Sequence, residues 1–355
     1  MKDTVVDILI IGAGLSGLSL AYYLREHKVS INILEGRSRL GGRILTTYKN
    51  DTPLELGATW LSSQHTELKE LLKQLGLGIF EQELGKTAMY ELNASSPHQV
   101  VSLPSNQEPS YRIKGGSASL IKALQTSIGT DQIKLDHRVS QIIEEADFLR
   151  VMTNQGSFKA KVVISTLPPF LFTSSITVQP SLNQEYKKVA TSTHTWMGES
   201  IKVGLFYAQP FWREGGLSGT IFSNPGPIPE MYDHSNFENS GFALKGFLNG
   251  AYFALTKEER LDMILKQLEK YYGSKVRDYI DYQEMIWQNE ALTYTPYTEP
   301  VFPHQNNGHE VFRQSYLKNK LFISGTETAK YFPGYMEGAV RSAKEVFKLL
   351  KGYKS

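Results

Sequence analysis

Three glycines, Gly12, Gly14 and Gly17, form a Gly-x-Gly-x-x-Gly run that also holds Leu15 and Ser16, and a carboxylate, Glu35, follows 23 residues after the first of them. This set suits the diphosphate and ribose of a dinucleotide. Gly12 lets the chain turn sharply, Gly14 leaves the backbone bare to a pyrophosphate, and Gly17 allows a helix to lie close on a strand. The helix N-terminus then offers free N–H groups and partial positive charge to phosphate, while the Glu35 carboxylate accepts from ribose hydroxyls. A second set follows at Gly36, Arg37, Gly41, Gly42 and Arg43. Its glycine pair permits another close backbone approach, and the guanidinium of Arg37 or Arg43 offers charge-assisted bonds to pyrophosphate. A nicotinamide cofactor needs no such second cradle, whereas a cofactor extended across the domain does.

Other chemistries find little support. The eight histidines are scattered, His304 and His309 lie in a Pro/Asn-rich loop, and no Ser/His/Asp set has a supporting context, so no metal site is expected. The sequence contains 0 cysteines, which removes disulfides, thiolate metal sites and a cysteinyl link to a cofactor. One cation stands out: Lys202 sits in the apolar run Ile201–Tyr207, with small neighbours Ser200 and Gly204 on its own side of the strand.

These residues need elements to place them. Asp7–Ile11 is a short apolar run entering the glycine turn, Leu18–Glu26 reads as helix, and Ile31–Leu34 reads as a second strand ending at Glu35, a βαβ unit. Leu68, Leu71, Leu72 and Leu75 give Thr66–Leu75 a helical period, with Gly76 as its C-cap. Residues 78–112 are short, polar and punctuated, the first excursion into a second domain. Ala118–Ile128 reads as a helix, and Arg138–Glu144, Phe148–Thr153 and Ser157–Ile164 as a β-meander. Ile201–Tyr207 and Phe242–Leu248 read as strands; Thr256-Lys257-Glu258-Glu259 caps a helix reaching Tyr272. Lys320–Ser324 is a strand and Tyr335–Leu350 a last helix. The 355 residues, 41% apolar and 21% charged with net charge +2, suit a two-domain globular protein and give no case for nucleic acid. No apolar run approaches the ~20 residues of a membrane span, and no signal-peptide pattern opens the chain. No membrane partner is expected, and a cytoplasmic monomer or homodimer is.

The stretch Glu35-Gly36-Arg37-Ser38-Arg39-Leu40-Gly41-Gly42-Arg43 resembles the flavin monoamine oxidase family, and Gly325-Thr326-Glu327-Thr328-Ala329 with Gly334-Tyr335-Met336-Glu337-Gly338-Ala339 resembles that family's closing signature almost letter for letter. The resemblance spans nearly the whole chain. It implies an α/β fold: a discontinuous FAD-binding domain of the p-hydroxybenzoate-hydroxylase/glutathione-reductase type (1–79, 113–167 and 298–355) and an α+β substrate domain with a mixed sheet (80–112 and 168–297). It also implies roles. Gly57, Ala58, Thr59 and Trp60 pass beside the flavin, Val139 touches the adenine, Thr166 lies on the strand returning from the meander, and Gly325, Glu327 and Met336 reach the ribityl-phosphate region or flavin O2. Lys202 holds a water against flavin N5, and Tyr297, ten residues after Trp287 and with Tyr294 as the alternate, faces Tyr335 in an aromatic cage. In such a cage a neutral amine loses hydride from its adjacent carbon to FAD, the imine is hydrolysed, and O2 becomes H2O2. Family members with covalent FAD carry cysteine where this chain has Pro296, so the flavin is expected to be non-covalent. The first excursion is shorter than the family's, which points to a more open site. A desaturase, a porphyrinogen-type oxidase, an L-amino acid oxidase using Arg112 for the substrate carboxylate, and a non-catalytic FAD-binding module are the competing expectations.

Overall fold

The computed structural model of the chain describes residues 4–351; the outer ends of the expected first and last segments, 1–3 and 352–355, lie outside the described residues. Strand Val5–Ile11 lies inside a nine-stranded sheet, paired in parallel with Ile31–Leu34 on one side and with Gly156–Ser165 on the other. Its side chains alternate between two cores, as strand geometry requires. Ile8 and Ile10 face one, and Leu9 and Ile11 the other. Helices Leu15–Leu24, Ala118–Ile128 and Met336–Lys351 supply the first core through Leu18, Leu120, Leu124 and Val340.

Gly156–Ser165 is long because its edge away from Val5–Ile11 serves two partners. Its first half pairs antiparallel with Leu149–Thr153 of the meander, and its second half pairs in parallel with Leu321–Ile323. The C-terminal signature is thereby drawn beside the N-terminal glycine turn. The expected boundary at residue 167 falls too early. Strand Thr177–Gln179 still adds to this sheet, beside Val139–Glu144, and Phe172, Ile176, Tyr186 and Ala190 belong to its second core.

The second layer is a seven-stranded sheet in the order Tyr279–Ile286, Ile201–Tyr207, Phe242–Leu248, Glu230–Asp233, Ile221–Ser223, Thr87–Glu91, Gln99–Ser102. Its one parallel pairing, Ile221–Ser223 with Thr87–Glu91, makes it mixed. Helix Lys257–Tyr272 covers one face with Ile264, Leu265 and Leu268 and carries the capping box between Thr256 and Glu259. On the other face Leu54 packs where Gly204 has no side chain; a Cβ there would lie 2.4 Å from Leu54 Cδ1.

Candidate active site

A cavity of about 670 Å³ lies between the carboxyl ends of the first sheet's strands and the exposed face of the second sheet. At its first-sheet end it is lined by Gly12, Gly14, Leu15, Ser16, Glu35, Gly36, Arg37, Val139 and Thr166. The first helical bond of Leu15–Leu24 runs from Leu18 N–H to Gly14 O (3.0 Å), so the N–H groups of Leu15, Ser16 and Gly17 have no acceptor in the helix. Glu35 Oε2 accepts from Ala13 N–H and Oε1 from Arg37 N–H, both at 2.9 Å, which fixes the carboxylate at the cavity wall. Gly14 bridges to Gly41, and a Cβ on Gly42 would stand 3.2 Å from Gly14 Cα. The two glycine runs thus form one bare-backbone cradle, with Gly41 and Gly42 at positive φ (+99° and +57°).

The arginines do different work from each other. Arg37 lines the cavity but is strapped to the segment beyond the second sheet, with Nε 2.9 Å from Glu290 Oε2 and Nη2 2.7 Å from Thr293 Oγ1. Arg43 also lines it, and both of its Nη groups bond Glu327 at 2.5 and 2.8 Å. Glu327 itself is fully buried and outside the cavity lining, so it reaches the site only through Arg43. Gly17 and Gly57 also lie behind the wall. Gly17 packs on Gly12 O and Ile10, and Gly57 packs on the backbone of 43–45, where a Cβ would come within 2.3 Å of Arg43 O. The close approach expected of Gly57 is therefore to its own chain, while Ala58, Thr59 and Trp60 face the cavity.

Lys202 lines the second-sheet wall, and its Nζ donates to Gly57 O at 2.5 Å. Burial, only partly offset by the Glu55 carboxylate, pushes its pKa down to about 8. In register, Lys202 pairs with Phe247, and Phe247 pairs with Glu230, so the three form one cross-strand row. All three line the cavity. Glu230 accepts from the Tyr232 hydroxyl. Behind the row Lys245 is completely buried, donates to Thr59 Oγ1 (3.0 Å) and lies 3.8 Å from the Trp60 ring centre. Burial first, then the neighbouring Lys202, pushes its pKa well below the usual lysine range. Phe247, Glu230 and Lys245 escaped the sequence reading because strand register alone brings them beside Lys202.

The expected tyrosine cage is not formed. Tyr335 lines the cavity with Gly325 and Met336, but Tyr297 does not. The ring neighbours of Tyr297 are Phe170, His194 and Tyr294; those of Tyr335 are His65, Trp196 and His304. The Tyr297 hydroxyl accepts from Thr195 N–H at 2.7 Å, which turns the phenol into the protein. Arg112 is likewise buried away from the cavity, with its guanidinium 4.8 Å over the Phe80 ring and Nη2 3.3 Å from His234 O, so it is no partner for a substrate carboxylate there. Trp287, in the cavity wall, donates to Leu56 O at 2.8 Å.

The family model for flavin-containing amine oxidoreductases matches residues 15–106 and 83–346. Flavin-containing amine oxidase A of Equus caballus is 25% identical, with 99% of this chain and 86% of that protein covered. Flavin-containing amine oxidase B of Rattus norvegicus is 24% identical, covering 96% and 86%. A putrescine oxidase solved with putrescine bound shares the fold at TM-score 0.86 and 23% identity over 99% of this chain and 100% of that one. Cyclohexylamine oxidase from Brevibacterium oxydans IH-35A does so at TM-score 0.84 and 20% identity over 98% and 99%. With that match running from the first helix to the last, the chain belongs to the flavin-containing amine oxidoreductases, FAD-dependent enzymes acting on amines.

Proposed function

We propose that this enzyme oxidises a small amine that carries a second cationic or hydrogen-bonding group at the far end of a short chain. The observation that carries the reading is the row Lys202–Phe247–Glu230 on one sheet face. Strands lie ~4.8 Å apart, so two strand spacings separate Lys202 from Glu230 by about 10 Å. An amine whose reacting end lies toward Lys202 then has the Glu230 carboxylate within reach of its other end. The putrescine bound to the structurally similar oxidase is a molecule of this kind.

The residues present fit FAD. The bare cradle where Gly14 and Gly42 face each other, which a Cβ on either would narrow, suits a pyrophosphate, and Glu35 suits a ribose. Met336 begins helix Met336–Lys351, where the unpaired N–H groups and the dipole favour negative charge. FAD supplies the acceptor for hydride and the route of electrons to O2. The chain supplies the rest. The Lys202 ammonium orients water and favours developing negative charge near Gly57, and the Trp60 and Phe247 rings exclude water. No carboxylate pairs with Lys202 among the described residues, so none there competes to hold the substrate's reacting amine as ammonium. In this enzyme the nine-stranded sheet with its helices serves as the nucleotide domain and the seven-stranded sheet as the substrate domain. The enzyme acts as a cytoplasmic monomer or homodimer. No helix among the described residues is long and apolar enough to cross a membrane.

A panel of monoamines and α,ω-diamines, read by peroxide release, tests it. Diamines are expected to give the higher kcat/KM, and Glu230→Gln to lower that value for diamines about tenfold or more while leaving monoamines nearly unchanged. Equal losses on both classes would remove Glu230 from substrate recognition.

A further inference from the structure

We infer that Lys245, behind the cavity wall, takes the proton that the substrate's ammonium must lose, and that the Thr59 hydroxyl carries it there. The inference rests on the reading of the cavity as the site of amine oxidation. An alkyl amine is an ammonium ion in neutral water, since such groups lose their proton near ~10.4. Its nitrogen lone pair must be free before the carbon beside it is oxidised, so the site needs a proton acceptor.

Thr59 lines the cavity, and its Oγ1 stands between two partners. It lies 3.2 Å from Gly57 O, the carbonyl that also anchors Lys202 Nζ, and 3.0 Å from Lys245 Nζ. That contact is the one side-chain hydrogen bond of Lys245 among the described residues. The other surroundings of the amine are aromatic. The Trp60 ring centre is 3.8 Å away and that of Phe247 4.4 Å, and both rings line the cavity. Gln82 Oε1 accepts from Trp60 Nε1 at 2.9 Å and holds the indole in place. Lys245 itself does not line the cavity, so Thr59 is its polar link to it.

The charges around Lys245 leave it a free amine. Glu55 and Glu230 face it with negative charge, Lys202 and Arg112 with positive, and these four balance. His234, also fully buried, uses Nε2 to accept from Glu55 N–H at 3.3 Å. The Glu55 oxygens accept from Ser117 N–H and Thr46 Oγ1, Glu230 accepts from the Tyr232 hydroxyl, and no carboxylate pairs with Lys245 among the described residues. An ammonium buried without such a partner is costly. Lys202, by contrast, keeps its proton up to about 8 and is no acceptor at neutral pH. A substrate ammonium stripped of water beside Lys202 is disfavoured by the same surroundings, which brings the two proton affinities together. The transfer balances. The ammonium N–H breaks as an O–H forms at Thr59 Oγ1; the hydroxyl's own hydrogen, turned away from Gly57 O, passes to Lys245 Nζ; the electron pair stays on the substrate nitrogen. The same path returns the proton to water after the product has left.

The test uses FAD-loaded enzyme and a tert-alkyl amine, which has no hydrogen on the carbon beside nitrogen and so binds without reacting. Calorimetry at pH 7, in two buffers of different ionisation enthalpy, counts the protons given to solvent per probe bound. Wild type is expected to release close to none, because Lys245 keeps the proton. Lys245→Met and Thr59→Val are each expected to release about one per probe. Each is also expected to bind the probe at least tenfold more weakly at pH 7, the gap closing as pH nears the probe's own pKa. A purely structural role for either residue would not change the proton count. Thr59→Ser, which keeps the hydroxyl, is expected to recover the wild-type count. Should Lys245→Met fail to load flavin, Thr59→Val against Thr59→Ser makes the same comparison. The inference is overturned if wild type releases about one proton per probe, or if either Lys245→Met or Thr59→Val binds the probe and releases no more than wild type. A wild-type enzyme whose flavin spectrum and heat signal are unmoved by any amine would instead overturn the functional reading, and this inference with it.

Discussion

Arg43 clasps Glu327 through both terminal nitrogens, joining the second glycine run near the N-terminus to the strand end of the C-terminal signature. The pair closes the cavity wall where Gly42, Arg43 and Gly325 meet. It explains why two motifs nearly three hundred residues apart belong to one site: each carries half of a bidentate ion pair whose geometry only an arginine satisfies.

Glu327→Ala leaves the Arg43 guanidinium beside the cavity with no countercharge. Losing one partner of a buried pair costs on the order of 3–5 kcal/mol; Arg43 keeps some exposure, so the lower end applies. Thermal unfolding followed by flavin fluorescence should show a lower Tm and earlier FAD release. Glu327→Gln, which retains two hydrogen-bonding positions, should fall between that variant and wild type. An unchanged release temperature in Glu327→Ala would show that the pair does not hold the wall.

The depressed pKa of Lys202 carries a pH signature with a definite sign. Its amine titrates at about 8 in the folded chain, against ~10.4 for an unfolded lysine. The charged form is the one expected to aid electron transfer to O2, so stopped-flow reoxidation of reduced flavin should slow as pH rises through about 8. Lys202→Met should be slow at every pH, with amine-driven reduction less affected. Stability runs the other way. Between about 8 and 10.4 the unfolded chain binds more protons than the folded one, so this lysine disfavours folding most below pH 8. The Tm advantage of Lys202→Met over wild type should therefore be largest there and fade by pH 10.4.

What the sequence made legible was local. The strand–turn–helix–strand of residues 7–35, the Thr256–Glu259 capping box and the closing helix follow from periodicity and turn chemistry; the structure has them, with the first helix beginning three residues earlier, at Leu15, and the other bounds within two residues. What it concealed was pairing. Glu230 and Phe247 have no spacing relation to Lys202; antiparallel register puts them in its row. Tyr297 stands ten residues after Trp287, as the family pattern asks, yet its direction is set by the Thr195 amide and Phe170, which no local pattern encodes.

The flavin should leave the protein intact. With 0 cysteines in the sequence and Pro296 before Tyr297, no thiol is available for a thioether to the cofactor. Acid or heat precipitation of the yellow enzyme should leave all the FAD in the supernatant. Flavin retained on the pellet would require a bond through another side chain and would displace this account of the site.

Gly17 separates a role in shaping the cradle from a role in touching the cofactor. It does not line the cavity, but a Cβ there would fall 2.0 Å from Gly12 O and 3.2 Å from Ile10 Cγ2. Real side chains do not approach backbone so closely, so Gly17→Ala must push helix Leu15–Leu24 off strand Val5–Ile11 and carry the N–H groups of Leu15 and Ser16 with it. Overpacking of this kind typically costs 1–3 kcal/mol. FAD affinity should fall more than stability does, because phosphate binding at a helix N-terminus depends on where those N–H groups point. Gly76→Ala serves as the comparison: it also places alanine at positive φ (+69°), but with nothing within 4 Å of the new Cβ. That variant should lose some stability through backbone strain and bind FAD as wild type does. If the two variants lost FAD affinity equally, the effect at Gly17 would be one of general destabilisation, and the helix position would not be what the third glycine secures.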